Sequence, residues 1–187
     1  ILDAAIVRFG RDGYRATSVA DIARDAAVSG TAAYAHFPNK EALLAAVAAR
    51  GFRIQKQEME AAARNATEPI DGLQAYGLTY ASFAKAHPSL FRLMYTHERF
   101  APNANPELLE ASAGVYPDML EGIRERTGCS LEEAQIIALT LWSTMHGLAM
   151  LWLDSQLQWQ GAPPLETLAY QVTEMLGRLM PQQNPAS

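Results

Sequence analysis

The sequence is nearly without cysteine. Cys129 is the single one among 187 residues, so no disulfide can close within the chain and no multi-thiolate metal site can be built. Long uninterrupted apolar runs are missing as well: Asp, Glu, Gln, Ser or Arg breaks each apolar stretch within a few residues. No segment is therefore expected to span a bilayer, which takes about 20 apolar residues. No basic-then-apolar leader opens the sequence, and with the lone thiol this sets an expectation of a cytoplasmic protein. The first residue is Ile1 rather than Met, so native residues are expected to precede it.

Catalytic signatures are equally scarce. No glycine-rich phosphate loop occurs, and the four histidines show neither H-x-x-x-H nor H-E-x-x-H spacing. Ser82-Phe83-Ala84-Lys85 has S-x-x-K spacing, but no S-D-N or K-T-G accompanies it, so acylating chemistry lacks its other groups. No enzyme activity, cofactor or metal site is expected. Strand-like alternation is also absent from the pattern.

What is there is helical periodicity and an uneven distribution of charge. Apolar residues make up 49% and charged residues 19%, an ordinary globular balance. The net charge of −5 argues against nucleic acid if taken alone. Yet residues 1–56 hold eight Lys/Arg against five Asp/Glu, and the remainder holds seven against fifteen. A basic head on an acidic body places any polyanion at the head.

Ile1, Leu2, Ala5, Ile6 and Phe9 mark one face of a first helix, with a stop at Asp12-Gly13. Ser18 and Asp21 have capping-box spacing and open a second helix of about two turns. Ser29 caps a third, running to about Phe37. Pro38-Asn39 breaks it, and Lys40 begins a long helix to about Asn65. Further helices are expected up to His87-Pro88, over Leu90 to Tyr95, from Leu108 to Arg126 with a break at Pro117, from Ser130 to about Leu157, and from Leu165 to Met180. Ala101 to Glu107 reads as a loop and residues 181–187 as a frayed, disordered tail. The expected fold is all-α: a three-helix helix-turn-helix domain, residues 1–47, joined by a long helix to a helical-bundle domain, residues 48–187.

The second and third helices have helix-turn-helix proportions. Ala26 and Ala27 would let the two helices approach, and Val28 would anchor the turn to the core. The third helix is almost bare, so its backbone can sink into a major groove. Tyr34, His36 and Lys40 flank it with groups suited to phosphate. From Ile1 to Val47 the sequence resembles the N-terminal domain of TetR/AcrR-type transcriptional regulators. The resemblance is carried by I-L-x-A-A with Phe9 and Gly13, Thr17-Ser18 before Ile22-Ala23, Val28-Ser29, and Tyr34-x-His36-Phe37-x-x-Lys40-Glu41-x-Leu43.

The resemblance implies a homodimer that binds double-stranded DNA, usually as a repressor released by a small ligand. It places Ser18 and Val19 near the DNA backbone, with Ser29 capping the reading helix. Gly30, Thr31, Ala32, Tyr34, Ala35 and His36 would form the groove-facing set, and Lys40 would contact phosphate. The sequence departs from the family where Gly, Thr or Ser, and Leu often precede the Tyr: Thr31, Ala32 and Ala33 stand there instead. The third helix also carries no Arg, Lys, Asn or Gln, so thymine-methyl contacts and DNA shape would supply much of its preference.

Between Leu73 and Trp159 the chain is rich in Met and aromatic residues, which line adaptable apolar cavities in bundles. Phe83, His87, Met94, Tyr95, Tyr116, Trp142, Met145 and His146 are the expected lining of a cavity for a small hydrophobic or aromatic effector. His87 or His146 would supply its polar contact. Trp142 and His146 share a helix face, and Gly147 in mid-helix signals close approach by a second helix or a ligand. "HPSLFRLMY" and the Trp-His-Gly pattern resemble a C-terminal subtype of these regulators named for that pattern. The final two helices are apolar on more than one face and are expected to form the dimer interface. A helical small-molecule carrier that does not bind DNA is the alternative reading.

Overall fold

Helix-forming periodicity and side-chain caps produce ten helices and no strand among the described residues. The structure is a computed structural model describing residues 1–65, 72–95, 105–114, 116–159 and 161–179. The loop expected before Asn105, the last position of the final helix and the tail lie outside the described residues. In chain order the helices are α1 (Leu2–Ala16), α2 (Val19–Asp25), α3 (Gly30–His36), α4 (Lys40–Asn65), α5 (Gly72–Ala86), α6 (Pro88–Met94), α7 (Pro106–Ala113), α8 (Tyr116–Thr127), α9 (Leu131–Leu153) and α10 (Leu165–Leu179).

The starts of these helices are chemical. Ser18 and Ser130 each complete a capping box, with Asp21 and Glu133 reaching back to the cap residue. Ser29 accepts from the Ala32 N–H at 3.1 Å, and Asn39 accepts from the Ala42 N–H at 2.7 Å. The stop at Gly13 is a kink: that residue leaves helical geometry at φ 78°, and the helix resumes for one short turn.

Two boundaries differ from the sequence reading. The break expected at Pro117 falls earlier, after Ala113, because Pro117 sits in the first turn of α8. A first-turn proline removes no helical hydrogen bond. α9 ends at Leu153 rather than near Leu157, with Ser155 in the left-handed region at φ 59° closing the end.

The chain divides into two compact units that do not follow chain order. The first holds residues 1–54 and 87–113, the second residues 55–86 and 114–187, and α4 contributes to both. The first unit is therefore larger than the three-helix head. α6 joins it through close packing on small residues: a Cβ on Gly10 would meet Ser89, and one on Gly51 would meet Met94 and Leu90. Its buried apolar residues include Phe9, Val19, Ile22, Leu43, Leu44 and Val47. Asp3 pairs with Arg50 and Glu107 with Arg53, at 2.7 and 2.6 Å.

The second unit is built on α5, α9 and α10, with α8 against α9. Ala134, Ala138, Leu141, Met145 and Ala149 form the inward stripe of α9. By length and composition α9 could cross a membrane, contrary to the expectation from its interrupted sequence. Thr140, Ser143, Thr144 and His146 interrupt its apolar residues without outweighing them, but a buried stripe along one side is how a bundle core helix behaves. Lys85 of α5 pairs with Glu166 of α10 at 2.6 Å.

Gly77 of α5 is where α10 comes closest, since a Cβ there would run into the methyl of Thr173. Thr173 is buried and held by its hydroxyl, which donates to the Ala169 carbonyl at 2.8 Å, so it cannot turn away. Gly77→Ala, which in an exposed helix would stabilise by about 1 kcal/mol, is expected to destabilise by roughly that amount through overpacking. Urea unfolding of the two proteins checks this; a stabilised variant would contradict it.

Candidate nucleic-acid interface

α3 is seven residues long, and only Ala33 of it is buried. Gly30, Thr31, Ala32, Tyr34, Ala35 and His36 are all exposed, with Tyr34 at 48%. The sequence-predicted groove-facing set thus lies outward on one thin helix. Nothing stands within 4 Å of where a Gly30 side chain would begin. Ser29 is exposed at the N-cap, its hydroxyl occupied by the Ala32 N–H.

The α2–α3 turn is made by three successive small or apolar residues. The Val28 N–H bonds the Ala23 carbonyl at 3.0 Å and the Ala27 N–H bonds the Arg24 carbonyl at 3.1 Å. This pair of bonds is a Schellman close, with Ala27 in the left-handed position at φ 55°. Val28 does not anchor the turn to the core as expected. It is 37% exposed, because the left-handed residue before it points the chain outward.

Three more of the expected residues are engaged within the protein. Val19 is only 3% exposed, so its side chain belongs to the core, and only its backbone is left to lie near DNA. It is the first residue of α2, and the capping box turns that position inward. Lys40 does not point an open ammonium at solvent. Its Nζ donates to the Tyr14 and Thr17 carbonyls at 2.8 Å each and reaches the Arg15 carbonyl at 3.5 Å. It also sits 4.3 Å above the Tyr14 ring. These carbonyls end α1, where the helix dipole favours a cation. Ser18 is exposed, but its hydroxyl donates to the Asp21 carboxylate at 2.6 Å and accepts the Asp21 N–H.

The sequence reading missed the ties that hold these helices together. Arg8 of α1 makes a two-point contact with Asp25, the last residue of α2, at 2.7 and 3.1 Å, and bonds Asp12 at 3.0 Å. Tyr14 donates to Glu41 at 2.7 Å. Only the Arg8–Asp12 spacing of four could have been read from sequence. The bonded carboxylates are held below their ordinary range: Asp12 by Arg11 and then Arg8, Asp21 by the Ser18 hydroxyl and backbone, and Glu41 by the Tyr14 hydroxyl.

The expected effector residues divide between the two units. In the first, Met94 is fully buried beneath Gly51, and Tyr95 meets the Phe52 and Phe91 rings at 5.5 and 5.1 Å. His87 is half-buried at the cap position of α6. In the second, Phe83 and Met145 are fully buried, and His146 Nδ1 lies 2.9 Å from the Tyr80 hydroxyl. Tyr116 and Trp142 are exposed, not lining an interior, because each lies off the inward face of its helix. Gly147 faces away from the inward stripe of α9, and no atom of the described residues comes within 4 Å of where its side chain would begin.

Two expectations follow from the head. Ala27→Gly should stabilise by about 0.5–1 kcal/mol, since an L-residue in the left-handed region costs about 1–2 and glycine's extra chain entropy offsets part; an unchanged or lower urea midpoint would contradict it. In acid, Asp21 and Glu41 should work against folding. Their folded values lie below those of the unfolded chain, so their contribution is complete above about pH 4–5 and is lost as pH falls through the folded values. Thermal midpoints measured from pH 5 down to pH 2.5 should fall; a flat profile would count against these bonds.

Comparisons with known proteins agree with this geometry. A family model described as bacterial regulatory proteins, tetR family, matches residues 1–47. A second, described as Tetracyclin repressor-like, C-terminal domain, matches residues 73–175. That description names no Trp-His-Gly subtype. No curated protein matches the chain. Among solved structures, a protein of unknown function from Rhodococcus sp. RHA1 is 29% identical, with 97% of this chain and 93% of that one covered and a TM-score of 0.81. A tetR-family regulatory protein from Rhodococcus RHA1 is 18% identical over 98% and 96%, with a TM-score of 0.72. The ketosteroid transcriptional regulator KstR2 of Mycobacterium tuberculosis is 14% identical over 97% and 93%, with a TM-score of 0.66. With residues 1–47, which carry α3, and residues 73–175 both matched, the chain belongs to the TetR family of bacterial transcriptional regulators.

Proposed function

We propose that this regulator binds a two-fold-symmetric DNA operator as a homodimer, acts as a repressor, and is released by a small hydrophobic or aromatic effector. The observation that carries the DNA reading is α3, whose residues other than Ala33 are all exposed. Thr31, Ala32 and Ala35 offer methyl groups suited to thymine, Tyr34 and His36 offer polar tips, and over Gly30 to Ala33 no long side chain holds the backbone away from base edges. With so few hydrogen-bonding groups on α3, DNA shape contributes to the choice of operator.

Dimerisation is supported by what α9 and α10 leave uncovered. Ile136, Leu139 and Leu151 on α9 and Tyr170, Met175 and Leu179 on α10 are exposed, Ile136 at 61%. Gly147 lies on the same outward side of α9 as Ile136, where a second helix can approach closely. A single reading helix covers few base pairs, so useful specificity calls for two copies.

The effector reading is supported by the second unit, where Phe83 and Met145 are fully buried and their helices α5 and α9 also carry the Tyr80–His146 pair. This is an apolar setting with one polar contact, the usual make-up of a small-molecule site.

Selection of bound fragments from a random-sequence duplex pool, followed by mobility shifts on the winner, tests the DNA reading. A shift is expected with wild type, and Thr31→Ala should change which duplexes are preferred. Failure of every duplex to shift would leave the carrier reading. For assembly, Ile136→Asp combined with Leu139→Asp should give a monomer by sedimentation at micromolar concentration and weaken operator binding more than about tenfold. A wild-type monomer would end the homodimer proposal.

A further inference from the structure

Four polar side chains are buried among the described residues: Thr17, Gln55, Thr127 and Thr173. Each threonine hydroxyl donates to the carbonyl four positions back, of Gly13, Ile123 and Ala169, at 2.8 Å in every case. Gln55 is different. It is 3% exposed, and among the described residues its Nε2 has no hydrogen-bond partner. That NH2 group carries two donors, and a buried donor left unmet costs more than a met one gains. Such groups are rare in folded proteins and call for a cause.

Gln55 ends the buried stripe of α4. Val47, Ala48, Gly51 and Phe52 precede it on the inward side, and no described side chain of α4 after it is buried. Along the helix its face offers no remedy. Gly51 and Phe52, one turn before, carry no hydrogen-bonding side chain, Met59 carries only a weak acceptor, and Glu58 makes no bond to the amide. A buried water makes about three hydrogen bonds, more than these neighbours supply. An apolar residue of the same length would fill this place without penalty, so the amide has a use that the protein alone does not reveal.

Charge narrows what the missing partner is. Gln55 belongs to the second unit, and none of the described Lys or Arg residues of that unit is buried. Lys56 is held by the Gly114 carbonyl at 2.8 Å, and Lys85 by Glu166 at 2.6 Å. An anion brought inside would lose its hydration with no buried cation to replace it. An uncharged carbonyl oxygen accepts from an NH2 group without that cost.

We propose that Gln55 is a ligand-binding residue, and that the effector carries an uncharged oxygen acceptor, a ketone, ester or amide carbonyl, for its Nε2. This rests on the effector reading above and deepens it. The small hydrophobic or aromatic molecule bears no charge and presents one acceptor to α4.

The experiment measures, by calorimetry on the full chain, the binding of two matched sets of probes. One is acetophenone, ethylbenzene and benzoate; the other is tetralone, tetralin and naphthoate. Within a set the size and aromatic character are close, and the oxygen is what changes. An apolar cavity without an open donor prefers the hydrocarbon, because the ketone must shed its water. Wild type is expected to bind the ketone of at least one set severalfold to about tenfold tighter than its hydrocarbon, the fold-change one hydrogen bond supplies. The carboxylate should bind most weakly.

Gln55→Met keeps the length of the side chain and removes both donors. Its preference should reverse to hydrocarbon over ketone, and without probe its thermal midpoint should stand at or above that of wild type. Gln55→Leu repeats both measurements should Gln55→Met fail to fold. Ketone and hydrocarbon bound alike by wild type, or a ketone preference that survives in the variant, removes Gln55 from the site and leaves the effector reading standing. A carboxylate bound tightest overturns the uncharged class. A thermal midpoint lowered in both variants shows that the amide already has a partner, such as water, and overturns the proposal as well. If no probe of either set binds wild type, the effector reading falls and this proposal with it.

Discussion

A helix of seven residues cannot hold itself together in water, and α3 buries only the methyl of Ala33. Isolated helices shorter than about 12–15 residues are marginal, and a single buried methyl supplies roughly 1 kcal/mol. Whatever keeps the reading helix in place must come from outside it. The first unit is arranged to meet that demand. Ser29 caps the start of α3, the turn before it is closed by two backbone bonds, and Arg8 clasps the end of α2. Bareness toward DNA and rigidity from behind are therefore two sides of one requirement.

Much of this was legible in the sequence, and the legible part is local. Ser18 with Asp21, and Ser130 with Glu133, gave helix starts to the residue, because a capping box is a chemical signal confined to four positions. Lys40 to Asn65 is legible as a single helix because Pro38-Asn39 breaks the chain before it and apolar residues recur at helical spacing after it; the structure adds Asn39 as its cap. α3 was singled out by its small residues, and its exposure follows from them.

What escaped the sequence is tertiary. Nothing in the pattern shows that Arg8 lies across from Asp25, seventeen positions on, or that Tyr14 meets Glu41. Val28 looked like an anchor because it is apolar, but its orientation depends on the backbone of Ala27, a left-handed turn made without glycine. Tyr116 and Trp142 read from the sequence as cavity residues because aromatics favour interiors. Their positions on α8 and α9 leave them exposed. The candidate site was thus readable where it is one short helix, and less so where side chains from distant segments must converge.

The basic surplus of residues 1–56 has a consequence once its partners are known. Arg8 and Arg11 are paired with Asp12 or Asp25, Arg24 with Asp21, Arg50 with Asp3, Arg53 with Glu107, and Lys40 with carbonyls. A cation already matched to a nearby anion projects little field beyond a Debye length of about 10 Å at 0.1 M salt. These side chains meet a phosphate only by sharing or releasing a partner they already hold, while the surplus of three positive charges over residues 1–56 stays as it is. A phosphate contact here is thus an exchange of partners, and it yields less than the capture of a bare cation.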